Sequence, residues 1–112
     1  MSLFDKREQV YGPETISVGD LDLSVDGGYR NVITIPLDVK PKRAIHVKAV
    51  SDNPVDLVVA NDKGAAVGHK EAVRDVTLGP FPTGKAKSMG ILLGVYPGDK
   101  AKVELEVWME RE

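Results

Sequence analysis

The chain has 112 residues, no cysteine and a formal net charge of −2 at pH 7. This length suffices for one domain with its own hydrophobic core. The lack of cysteine excludes disulfides, thiolate nucleophiles and cysteine-based zinc or iron–sulfur sites. The acidic balance disfavours generic nucleic-acid binding, which needs a basic surface. No apolar run approaches the roughly 20 residues that a membrane-spanning helix needs.

The N-terminal segment is polar. Charges begin at Asp5, so the first ten residues lack the apolar core of a secretory signal. We therefore expect a cytoplasmic protein or, alternatively, a secreted one whose leader has been removed. Residues 1–14 show no regular period, which predicts an N-terminal arm or an irregular first strand. A single β-sandwich domain is predicted for residues 15–112.

From Thr15 onward, apolar and polar residues alternate in short runs that are separated by turn-forming residues. The predicted strands are residues 15–18, 21–25, 29–39, 43–51, 55–60 and 73–78, with two more inside 86–109. Pro36 lies on the polar face of its strand, which predicts an edge strand or a bulge because proline cannot donate to the ladder. Residues 65–72 contain the only plausible helical turn, and residues 79–84 are predicted to form a rigid loop.

The clearest pattern lies in residues 86–109. Four apolar residues share one face of each of two consecutive strands: Met89, Ile91, Leu93 and Val95, then Val103, Leu105, Val107 and Met109. The intervening residues 96–99, Tyr-Pro-Gly-Asp, have turn chemistry, since proline presets φ and glycine accepts a positive φ. We predict a β-hairpin here.

About eight short strands, without a long helical period or a repeat of fixed spacing, predict an all-β protein. The predicted fold is a single antiparallel β-sandwich of about eight strands, jelly-roll-like. The alternation does not determine the order of the strands.

Two runs in the middle of the chain resemble a known family. They are AIHVKAV, residues 44–50, and PVDLVVANDKG, residues 54–64. With the glycine-containing strand, turn and final strand of residues 90–107, they resemble the bacterial pre-peptidase C-terminal domain and the related Golgi-dynamics (GOLD) sandwich. The resemblance spans residues 33–108. It implies a β-sandwich and a non-catalytic module that binds partners, glycans or substrates.

Few residues suggest catalysis or metal binding. His46, His69 and Glu71 could supply three metal ligands, because the spacing of His69 and Glu71 places both side chains on one face of a strand. The alternative is a pair of ordinary surface histidines. The sequence contains neither a Gly-x-Ser-x-Gly nucleophile elbow nor a phosphate-binding P-loop. No cofactor is predicted.

The last strand turns a charged row away from the predicted core: Lys102, Glu104, Glu106, Trp108 and Glu110. An exposed tryptophan in such a row can anchor a protein partner or a sugar ring. Alternatively, Trp108 covers the N-terminal arm, for instance Phe4 or Tyr11. Phe81, held between Pro80 and Pro82, is either a preorganised contact residue or a buried plug.

These features favour a non-catalytic binding or assembly module that acts through protein–protein contact. Self-association across a strand edge, or across the Trp108 face, is the expected mode. The candidate ligand- or partner-binding residues are Trp108, Tyr96, Phe81, Glu104 and Glu106. The alternative is a carbohydrate- or small-ligand-binding sandwich that uses Trp108 and Tyr96. A third hypothesis is a metal-dependent enzyme built on the two histidines and Glu71.

Overall fold

A computed structural model describes residues 7–19, 32–96 and 99–111. Within these ranges the protein is all-β, with antiparallel pairing throughout, as predicted. The strands are β1 (Glu8–Val18), β2 (Val32–Asp38), β3 (Arg43–Ala60), β4 (Ala66–Pro82), β5 (Ser88–Gly94) and β6 (Ala101–Arg111). The predicted strand at 21–25, the start of the strand at 29–39 and the contact with Phe4 fall outside the described residues.

The sheet is organised around β3. Its strand order is β1-β6-β3-β5-β2, and β4 pairs with β3 as well. Residues 43–51 of β3 pair with β6, whereas residues 56–60 pair with β5. β4 follows β3 through both regions. The sheet therefore has two halves that share the long β3–β4 hairpin.

The two halves curl toward one another into a half-barrel. β1 at one end of the order contacts β2 at the other. A single cluster of buried side chains includes residues of all six strands. The ion pair of Glu8 with Lys40, whose Oε2 and Nζ atoms lie 2.8 Å apart, also links the start of β1 to the segment after β2.

The described residues form six strands rather than the predicted eight or so, because the predicted strand at 21–25 lies outside the described residues and the predicted strands at 43–51 and 55–60 form one strand, β3. The predicted turn at residues 51–54 is a bend within β3, marked by a register shift between Val50 and Val55. The predicted helical turn at 65–72 is wrong, because these residues belong almost entirely to β4. Residues 79–82 also lie in β4, where a loop was predicted. The turn-forming residues at these positions cause irregular stretches within the strands instead of ending them, because pairing between β3 and β4 continues on either side.

The predicted hairpin of residues 86–109 is wrong in its pairing. β5 pairs with β2 and β3, β6 pairs with β1 and β3, and β5 and β6 are not neighbours. The turn exists, since the Asp99 amide donates to the Tyr96 carbonyl at 2.9 Å. It connects the two halves of the sheet instead of closing a hairpin, because alternation specifies a face and not a partner.

The faces of the strands were predicted correctly. The eight apolar residues that were assigned to the inner faces of residues 86–109 are all buried. They lie in β5, in β6 and, for Val95, directly after β5. Ile35 and Leu37 of β2 are also buried, and Pro36 between them is exposed. Among the described strands β2 ends the strand order, which agrees with the edge strand, one of the two alternatives predicted from Pro36. β1 runs from Glu8 to Val18 across the predicted boundary at residues 14 and 15, with register shifts on both sides of Tyr11.

The true hairpin turn is the one between β3 and β4. The Asn61 side-chain oxygen accepts hydrogen bonds from the amides of Lys63 and Ala65, both at 2.9 Å. Gly64 adopts φ 81°, a conformation that glycine reaches without steric cost. This turn, predicted from residues 61–64, directs β4 back along the whole length of β3.

Candidate functional site

Trp108 lies on the outer face of β6 and is half-buried. It is opposite Gln9 of β1 on one side and His46 of β3 on the other. The rings of His46 and Trp108 stack, with centroids 5.4 Å apart and planes 9° from parallel. The Arg7 guanidinium carbon lies 4.1 Å from the centroid of the Trp108 ring. Contacts from β3 and from the residue that precedes β1 thus cover this tryptophan.

The Trp108 cluster, which we define as Arg7, His46, Trp108 and Glu110, also contains a polar contact. His46 Nε2 lies 3.1 Å from Glu110 Oε2. The N-terminal segment covers Trp108 through Arg7, in keeping with the alternative in which the ring packs against the arm. A cation over an exposed aromatic ring contributes roughly 0.5–1 kcal/mol. The cluster therefore attaches Arg7, the residue before β1, to the outer face of the sheet.

Glu104 and Glu106, the two glutamates among the predicted partner-binding residues, lie on the same strand as Trp108. Glu106 is half-buried, and its Oε2 accepts a hydrogen bond of 2.9 Å from Gln9 Nε2. Glu104 is exposed. The two line a shallow pocket of about 130 Å³ together with Pro13, Lys48 and Val50. This volume is below the range of about 300–1,000 Å³ that is typical of small-molecule sites.

Tyr96 does not share a surface with Trp108. It is 76% exposed and lies just after β5, close to the turn that leads into β6. Trp108 lies seven positions beyond Ala101, the first residue of β6. At the rise of an extended strand, this places the ring about 23 Å along β6. The structure therefore separates the two aromatic residues of the carbohydrate hypothesis.

Phe81 lies within β4, opposite Ile45, and packs against the hydrophobic core. A Cβ atom placed on Gly68 would lie 2.5 Å from Cζ of Phe81, so the ring occupies the space above this glycine. Gly68 and Phe81 stand near opposite ends of β4. Their contact shows how strongly the strand curls, and it agrees with the plug interpretation.

The structure does not bring the three candidate metal ligands together. His46 lies opposite Trp108 in one half of the sheet, whereas His69 lies opposite Val58 in the other. His69 and Glu71 do share a face, with Nε2 and Oε2 3.9 Å apart, and both side chains are exposed. Within residues 7–19, 32–96 and 99–111, no three histidines, aspartates or glutamates cluster closely enough to hold a metal ion.

Two ionisable groups of β1 have shifted pKa values. The hydrogen bond from Lys40 lowers the pKa of Glu8 below its ordinary value of 4.5. Burial, followed by the hydrogen bond to Glu14, raises the pKa of Tyr11 above 10.0. The causes of both shifts are contacts of β1 with neighbouring residues and burial, so they describe how β1 is attached.

The outer edge of β4 is a candidate contact surface that was not predicted from the sequence. This strand has 17 residues, yet Val73 is its only buried side chain. Within the described part of the chain, β4 pairs on one side only, with β3. Val67 near the hairpin turn is 43% exposed. A signal was present in the sequence, since four charges alternate in sign in residues 70–75 where a helical turn and a weak strand were predicted.

The sequence matches no protein-family model, and a search of curated proteins finds no match either. In the described part of the chain, no helix is long and apolar enough to cross a membrane.

Proposed function

We propose that this protein is a non-catalytic binding or assembly module that acts through protein–protein contact at the outer edge of β4, which is unpaired within the described residues. The curled sheet acts as a small sandwich-type scaffold, and the edge of β4 follows its curl. The resemblance of residues 33–108 to pre-peptidase C-terminal and GOLD domains is in keeping with such a role.

The observation that supports this proposal is the length and exposure of β4. A strand that is paired on one side presents a row of backbone N–H and C=O groups to a further strand. Addition of a partner strand to such an edge is a recurring mode of protein recognition. β4 extends over 17 residues, more than either β1 or β2 at the other edges. Those two strands also contact each other, which leaves β4 as the most accessible edge.

The face around Trp108 supports a binding role less well. Its ring already contacts His46 and Arg7, so a sugar could stack on it only by displacing one of them. We therefore prefer the strand edge to the carbohydrate hypothesis.

Light scattering over a concentration series tests this proposal. We expect the mass to rise above that of a 12.1 kDa monomer. Val67→Lys should weaken the association because it places a charge on the exposed part of β4. Val32→Lys is the matched control, since Val32 is an exposed valine on β2, another edge strand. A strict monomer at high micromolar concentration, or equal effects of the two substitutions, would refute self-association through β4.

A further inference from the structure

We infer that one end of the sheet, which we call the basic end, is a further contact surface and that it binds an acidic segment of a partner protein. The basic end consists of residues 39–43, which lead from β2 into β3, and residues 83–87, which connect β4 to β5. This inference goes beyond the proposed function, because it requires no pairing at the edge of β4.

The basic end contains five cations and no acidic residue. The cations are Lys40, Lys42, Arg43, Lys85 and Lys87. Two short segments thus contain a third of the 15 lysines and arginines of a chain whose formal net charge is −2. A sixth cation adjoins them, since Arg111 at the end of β6 lies opposite Arg43. Positive charge is therefore concentrated at one end of an acidic protein.

Backbone hydrogen bonds hold the two segments side by side. The Val39 amide donates to the Lys87 carbonyl oxygen at 3.0 Å, and the Lys42 amide donates to the Gly84 carbonyl oxygen at 2.8 Å. Strands that are hydrogen-bonded lie about 5 Å apart, which is less than the Debye length of about 8 Å at physiological ionic strength. The cations of both segments therefore act on an approaching ligand as one charged surface.

The cations that flank Gly84 are available to a ligand. Lys42, Lys85 and Lys87 are exposed, and none of the three forms an ion pair with another described residue. A Cβ atom placed on Gly84 would meet no atom within 4 Å, so the space above this part of the surface is open. Like charges that are held close together repel each other, and an anionic partner relieves that repulsion.

The acidic residues that adjoin the basic end offset only part of its charge. Glu8 pairs with Lys40 at 2.8 Å, and Glu110 lies 3.1 Å from His46. Asp38, at the end of β2, is exposed. A positive patch on an otherwise acidic protein attracts an acidic partner and orients it during association.

The composition of the surface favours the carboxylates of a protein over a membrane or a nucleic acid. Membrane surfaces are usually bound by apolar side chains together with basic ones. Val39 and Ala86, however, are buried, which leaves Pro41 as the exposed apolar residue of the basic end. Single-stranded nucleic acids stack their bases on aromatic rings. Tyr96, the one exposed aromatic residue of the described chain, follows the far end of β5.

Fluorescence anisotropy with a labelled deca-glutamate peptide tests this inference. The wild type should bind the peptide in about 150 mM salt. Lys85→Glu/Lys87→Glu should bind it at least about tenfold more weakly, because two attractions become repulsions. Lys100→Glu/Lys102→Glu is the matched control, with the same charge change at the same spacing. These two exposed lysines flank the first residue of β6, about 33 Å along the strand from Arg111, so the affinity should stay within about twofold.

The absence of peptide binding by the wild type, or equal losses in the two double variants, would refute the basic end as a contact surface. A mixed-sequence DNA decamer and vesicles of phosphatidylcholine and phosphatidylserine in a ratio of about 3:1 are the competing probes. If either binds more tightly than the peptide, the acidic protein partner is refuted. Should the charge reversal fail to fold, Lys85→Gln/Lys87→Gln tests the same surface with a smaller expected loss. Self-association through β4 can fail without affecting any of these outcomes.

Discussion

The imidazole of His46 and the indole of Trp108 stack across neighbouring strands, with ring centroids 5.4 Å apart and planes within 9° of parallel. The two residues are direct cross-strand partners of β3 and β6. Such pairs are the local unit of sheet stabilisation. Because of this contact, Trp108, the one tryptophan of the chain, is half-buried and packs against its neighbours on the outer face of the sheet.

Removal of the imidazole should expose this ring. In His46→Ala, we expect the free energy of unfolding to fall by about 1 kcal/mol, because the stacking and the contact with Glu110 are both lost. Trp108 fluorescence should shift to longer wavelength. His69→Ala is the control, since its side chain is exposed, with Nε2 3.9 Å from Glu71 Oε2, and should change stability by less than about 0.5 kcal/mol. Equal effects of the two substitutions would contradict the packing role.

Gly68→Ala should destabilise the protein by about 1–3 kcal/mol because the added methyl overlaps the ring of Phe81. Denaturant unfolding measures this loss. The second substitution Phe81→Leu should recover part of it by freeing space. Gly90→Ala is the matched control in β5, where the nearest atom to a new Cβ is the Ile35 carbonyl oxygen at 3.8 Å. If both glycine substitutions cost the same, Phe81 is not the cause.

Thr83 is the one buried polar side chain of the described residues. Its hydroxyl donates to the carbonyl oxygens of Lys40 and Arg43, at 2.7 and 3.1 Å, and accepts from the Arg43 amide at 2.9 Å. Thr83→Val keeps the shape but removes the hydroxyl that pairs with the Arg43 amide and the Lys40 carbonyl, so we expect a loss of about 1–3 kcal/mol. Thr83→Ser retains the hydroxyl and should cost less. A thermal or denaturant titration in which Ser is the worse substitute would contradict this role.

The ion pair between Glu8 and Lys40 should respond to acid. Because the folded-state pKa of Glu8 is lowered, its stabilising contribution is present above the ordinary value of 4.5 and is lost as the pH falls through the lowered value. In Lys40→Met, the pKa of Glu8 measured by NMR should return toward 4.5. Lys42→Met is the control, since Lys42 does not supply this hydrogen bond. An unchanged titration of Glu8 in Lys40→Met would show that another group lowers the pKa.

Prediction from the sequence succeeded where the determinant was local. The inner faces of β2, β5 and β6 follow from apolar residues at every second position, since alternate side chains of a strand point to the same face. The turn at residues 61–64 was predicted from its asparagine and glycine, which act through their own backbone. The edge position of β2 is one of the two alternatives predicted from Pro36, which lacks a donor for the ladder.

Prediction failed where distant residues decide the structure. Residues 51–54 and 65–72 have turn-like or helix-compatible composition, yet both lie mainly in strands because pairing between β3 and β4 overrides local preference. The candidate site changed for the same reason. His46 and Trp108 are far apart in the sequence and meet only because β3 and β6 are adjacent.

The amino-acid sequence alone therefore determined the all-β class, the residues of the core, and the exclusion of disulfide and thiolate chemistry. Only the tertiary structure decided that β3 pairs with both β5 and β6, that Phe81 packs on Gly68, and that β4 pairs with β3 alone among the described strands. The physical reason is that alternation constrains which side of a strand is apolar. The backbone hydrogen bonds between strands involve the same N–H and C=O groups in every residue type except proline, so the sequence pattern does not specify which strands are neighbours.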